Sequence, residues 1–125
     1  MKLNTLFSIH AIVAGIFGLA FVLAPESLLS FYGGALNPVG VVVGRLFGSA
    51  LLGIAAIAWF ARNIEAPEAR QAIVLALFVS DAAGFIAALL GQLSGVVNAL
   101  GWTTVAIYLL LALGYGYFQF VRPSS

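Results

Sequence analysis

Four hydrophobic runs, Leu3 to Ala24, Val39 to Ala61, Gln71 to Leu93 and Ala99 to Val121, fill about three quarters of the 125-residue chain, and Arg45 and Asp81 are the only formal charges inside them. Each run is long enough, at about 1.5 Å per residue, to cross roughly 30 Å of hydrocarbon. A water-facing helix needs a polar stripe repeating every ~3.6 residues. Gln71 to Leu93 offers only Gln71, Ser80, Asp81 and Gln92 as polar side chains. The pattern predicts an all-α membrane protein: one domain over residues 1–125, folded as an antiparallel bundle of four transmembrane helices. So little chain is left outside the runs that function must lie within the bundle or on its faces.

Charge placement sets an expected orientation. Lys2, Arg62, Arg70 and Arg122 fall on the side holding both termini and the middle loop, and the other two loops contain no Lys or Arg. By the positive-inside rule both termini are cytoplasmic, and such complete segregation argues against a dual-topology dimer. The first run exceeds a signal-peptide core, and the small-residue site ending at Ala24 is followed by Pro25, so it is read as a retained span. Ser27 to Tyr32 reads as a short amphipathic segment on the outer interface, closed by Gly33, Gly34 and Asn37-Pro38. Trp59 and Trp102 sit near span ends as interfacial anchors.

Small residues mark where helices approach in lipid. Gly40, Gly44 and Gly48 recur on the second span; Ala72, Ala76, Ser80, Gly84 and Ala88 recur on the third, beside a parallel row of Ala83, Ala87, Gly91 and Gly95. The rows predict close contact between the second and third spans.

Ionisable groups at membrane depth are expensive and usually functional. An Arg45 to Asp81 ion pair is one arrangement, but from the outer helix ends Arg45 is ~9 Å deep and Asp81 ~18 Å, and their side chains lean apart. The alternative for Arg45 is to snorkel outward, with Glu26, Asn98, Thr103 or Thr104 as partners. His10 suits Asp81 better in depth, and Tyr108 lies within about one turn of the same level. The expected midplane polar site is therefore His10, Asp81 and Tyr108, either a hydrogen-bonded clasp or a proton-linked or ligand-binding centre.

Other chemistries find no residues. A net charge of +1 gives no field for nucleic acid. The chain has no cysteine and one histidine, too few for two axial haem ligands or a thiolate metal site. No activated nucleophile, phosphate-cradling loop or carboxylate pair is legible, so no catalytic residue, metal or cofactor is assigned.

The stretch from Arg45 through Gly48 to Gly53, the Trp59-Phe60-Ala61-Arg62 end and the hairpin leading through Asn98 to Trp102 resemble the small four-helix bacterial membrane proteins grouped with the DoxX-like proteins. The resemblance implies a bacterial inner-membrane protein and transfers no site residue. The expected role is an accessory protein of the lipid bilayer, packing into or regulating a larger membrane complex or forming a homo-oligomer through its small-residue faces. The alternative is an oligomeric transporter or channel for protons or a small lipophilic solute, using Asp81 and His10. A lipid- or quinone-binding enzyme subunit is a third reading.

Overall fold

Three prolines set helix starts. In the computed structural model, which describes residues 2–121, Pro25, Pro38 and Pro67 each occupy the first turn of a helix. There the missing N–H takes nothing from the hydrogen-bond ladder. The described residues form five helices: α1 (Leu3–Leu23), α2 (Pro25–Phe31), α3 (Pro38–Ala61), α4 (Pro67–Leu93) and α5 (Gly101–Gly116), the last continuing as a π-helical turn, Tyr117–Val121. No strand occurs among them. α1, α3, α4 and α5 with its π turn are long and apolar enough to cross a membrane. α4 starts four residues before the hydrophobic run suggests, because Pro67 and Glu68 suit a first turn whose free N–H groups favour an acidic neighbour. α2 is the expected amphipathic segment, with Glu26 and Ser27 exposed and Leu28 and Leu29 half-buried. Arg122 lies outside the described residues.

α1 packs along α3 and α4 along α5, whereas α3 and α4 touch at few points. The contact expected between the second and third spans is therefore overturned. Small residues permit approach without naming the helix that approaches. Gly48 faces α1: a Cβ there would lie 2.7 Å from the Gly18 carbonyl oxygen and 2.9 Å from the Val22 nitrogen. Gly44 meets Pro25 and Phe21, while Gly40 packs on Leu36 and Asn37 of its own N-terminal approach. On α4, Gly84 lies under the Tyr108 ring of α5. Ala72, Ala76, Ala83 and Ala87 are exposed.

One end is tied by side chains that hydropathy does not reveal. The Arg70 guanidinium donates to the Ala61 and Ile64 carbonyls at 3.2 and 3.1 Å, closing the end of α3, and to Asn4 Oδ1 of α1 at 3.0 Å. Gln71 Nε2 donates to the Phe118 carbonyl and to Gln119 Oε1, at 3.1 and 2.7 Å, and so holds the π turn against α4. Above these ties, Leu3, Phe7, Ala58, Val74, Tyr115 and Phe118 belong to one buried cluster. Trp59 is 44% exposed and stacks under the Arg62 guanidinium, 3.5 Å from its ring centroid, as an interfacial anchor would. Arg70→Met is expected to cost about 2 kcal/mol, since it leaves carbonyls without their charged donor. Reversible unfolding in mixed micelles measures this, and an unchanged midpoint would show that the ties add nothing.

The opposite end is stitched through Asn98. Its backbone N–H and Nδ2 donate to the Tyr32 and Phe31 carbonyls at 2.9 and 3.0 Å, and its Oδ1 accepts from the Leu100 N–H at 3.0 Å. Thr104 Oγ1 donates to the Tyr32 hydroxyl at 3.1 Å. Gly33, at φ +80°, makes the turn that brings Tyr32 alongside, a left-handed conformation that favours glycine.

Candidate functional site

His10 of α1, Asp81 of α4 and Tyr115 of α5 meet in the interior. His10 and Asp81 are 3% and 2% exposed. A 2.8 Å hydrogen bond joins His10 Nδ1 to the Tyr115 hydroxyl, and the two rings lie 5.4 Å apart. His10 Nε2 is 3.6 Å from Asp81 Oδ1. That is ion-pair range and too long for a hydrogen bond.

The expected His10 and Asp81 neighbours are thus brought together, but the hydroxyl on His10 comes from Tyr115 and not from Tyr108. From the Arg70 end, His10 lies seven residues into α1 and Tyr115 six residues from Val121, so the two sit at nearly the same level, roughly 10 Å in. Tyr108 is two turns further on, with its ring over Gly84. Measuring depth from the C-terminal end of the fourth run would have found Tyr115.

Arg45 is exposed, as is Glu26. Among the described residues no hydrogen bond or ion pair joins the Arg45 guanidinium to Asp81, Glu26, Asn98, Thr103 or Thr104. Asn98 and Thr104 are engaged with Tyr32, and Thr103 Oγ1 donates to the Leu100 carbonyl at 2.6 Å. The direct Arg45 to Asp81 pair fails for the depth mismatch already legible in sequence.

Beyond Asp81 toward the Asn98 end lies a cavity of about 400 Å³, bounded by His10 and Asp81 at one extreme and by Tyr32 and Val97 at the other. α1 presents Val13, Phe17 and Phe21 to it, and α3 presents Phe47, Leu51 and Ile54, in each case along one helical face. α4 offers only Ser80, Gly84, Ala88 and Gly91 besides Asp81. Ser80, Gly84 and Ala88 of one predicted row and Gly91 of the other thus border a space as well as a helix contact, Gly84 being covered by the Tyr108 ring of α5. Burial agrees: the buried residues of α4 are Val74, Leu77 and Asp81, and none follows Asp81 along the cavity.

Asp81 Oδ2 is buried and has no hydrogen-bond partner among the described residues. A buried polar atom left so carries a desolvation penalty of ~1–3 kcal/mol. A carboxyl at the apolar end of a cavity can accept a hydrogen bond from a bound molecule, with Ser80 beside it and Tyr108 over the neighbouring wall. Pockets of this size, with apolar walls and few polar groups, are typical of small-molecule sites.

Tyr115→Phe keeps the ring but strips His10 of its hydrogen bond, and is expected to destabilise by about 1–2 kcal/mol. Equilibrium unfolding checks this; no loss would show that His10 finds another partner.

No curated protein and no solved structure matches the chain. Residues 1–118 match the family model described as Domain of unknown function (DUF8292), and with nearly its whole length covered the chain belongs to the DUF8292 family.

Proposed function

We propose that this protein is an antiparallel four-helix bundle of a bacterial inner membrane, both termini cytoplasmic, that binds a small lipophilic molecule in its intramembrane cavity. Its orientation is supported by the cations Lys2, Arg62 and Arg70, all on one side of the membrane in this reading, with loops free of Lys and Arg on the other. The binding reading is carried by one observation: Asp81, 2% exposed and with its Oδ2 unpartnered among the described residues, is one of the residues that line a cavity of about 400 Å³. Phe17, Phe21, Leu51 and Ile54 supply apolar walls, and Asp81 supplies the polar contact that orients the ligand. An accessory role in a larger assembly is compatible with this site, the bound molecule being what such a subunit contributes. Transport by several copies would use the same site.

Organic extraction of protein purified in mild detergent tests the reading. A single lipophile should be enriched over a total-membrane extract taken through the same detergent. Extracts that match the membrane background would contradict binding.

A further inference from the structure

The cavity has an open side. Among its lining residues only Phe47 and Ala50 are exposed, and both belong to α3; those from α1, α4 and α5 are buried or half-buried. α3 and α4 touch at few points, and α4 turns only small residues and Asp81 toward the cavity, so no bulk closes the seam between them. The surface flanking it is apolar, with Val43 and Leu46 on α3 and Val79 and Leu90 on α4 exposed. The α1–α5 seam also has few contacts, but the cavity residues beside it, Val13 and Phe17 of α1 and Thr104 and Leu111 of α5, are buried or half-buried, and the two ends are obstructed. The buried cluster around Phe7 and Tyr115 fills the Arg70 end, and α2 and the Asn98 hydrogen bonds lie across the far end.

Resting on the reading of the cavity as a binding site, we propose that the α3–α4 seam is a lateral portal for an uncharged lipophile drawn from the bilayer, an alcohol or phenol. The ligand donates its hydroxyl to the Asp81 carboxyl while its tail leaves between the helices. Asp81 is twelve residues from the nearer end of α4, roughly 18 Å of helix. A charged headgroup would have to shed its water to reach that depth at a far higher cost than a single neutral hydroxyl, which regains a hydrogen bond at Asp81. The head is a donor because a carboxyl oxygen keeps acceptor capacity in either protonation state.

The test is photolabelling of the full chain in phosphatidylcholine vesicles with hexadecanol bearing a diazirine in the first half of its chain, alongside the methyl ether and the trimethylammonium analogue. The alcohol should place adducts on Phe47 and Ala50. The ether and ammonium probes, and Asp81→Leu, should lower them about tenfold, the equivalent of ~1.4 kcal/mol, and the shape-conserving Asp81→Asn, which keeps an acceptor oxygen, should lower them less. Ala50→Trp at the lip should lower them too, and Leu110→Trp on the exposed face of α5 should not. Asp81-dependent adducts on Leu29, Tyr32 or Val97 instead would overturn the portal and spare the binding site. Equal labelling by the ether would overturn the donor head, and equal labelling by the ammonium probe the uncharged class. No Asp81-dependent adduct at all would overturn the binding reading with the portal.

Discussion

Gly48→Val is expected to destabilise the protein by on the order of 3 kcal/mol, the upper part of the range for overpacking a tight contact. A Cβ at Gly48 meets the Gly18 carbonyl oxygen at 2.7 Å, the Phe21 Cβ at 2.8 Å and the Val22 nitrogen at 2.9 Å. Two of these are backbone atoms of α1, which no rotamer change can move. α1 and α3 must separate, and in lipid, where close packing replaces the hydrophobic drive, separation removes what holds them together. Gly53, on the same helix, supplies the contrast: nothing lies within 4 Å of a Cβ there. Gly53→Ala should be neutral or stabilise by up to ~1 kcal/mol through helix propensity. Unfolding midpoints of the two variants in the same micelles measure the difference, and equal shifts would contradict the α1–α3 contact.

Asp81→Leu is expected to weaken binding of the lipophile about tenfold while changing stability by no more than about 1 kcal/mol. The His10 to Asp81 contact, at 3.6 Å, is looser than a hydrogen bond, whereas the tight 2.8 Å bond from His10 runs to Tyr115 and survives the substitution. Asp81 Oδ2 has no partner to lose among the described residues, and replacing an unsatisfied buried polar group by an apolar one removes its desolvation penalty. A structural clasp behaves oppositely: breaking a buried charge pair typically costs ~3–5 kcal/mol. Comparing ligand content and unfolding of wild type and Asp81→Leu separates the two roles. A large stability loss with ligand content unchanged would make Asp81 a clasp.

How much of this was legible in the sequence differs by level. The long helices follow from uninterrupted apolar runs, and their starts from Pro25, Pro38 and Pro67, whose backbone restrictions act locally. The meeting of His10 with Asp81 was legible because depth along a membrane helix is a count of residues. Helix pairing was not, since Gly44 and Gly48 say only that something comes close, and it is α1 that does. Tyr115 was hidden behind Tyr108, which shares its face two turns away. Arg70 reads in sequence as an orientation charge, although its guanidinium also binds two carbonyls and Asn4. The cavity was least legible of all: Ser80, Gly84, Ala88 and Gly91 make the same pattern whether a helix fills the space beside them or not.

The central claim is that Asp81 holds a lipophilic molecule inside the membrane. Native mass spectrometry of wild type and Asp81→Leu released from the same detergent tests it most directly. Wild-type chains should each carry one adduct of defined mass, and the variant should be largely bare at the same charge states. Two bare proteins, or the same mixed lipids on both, would contradict it.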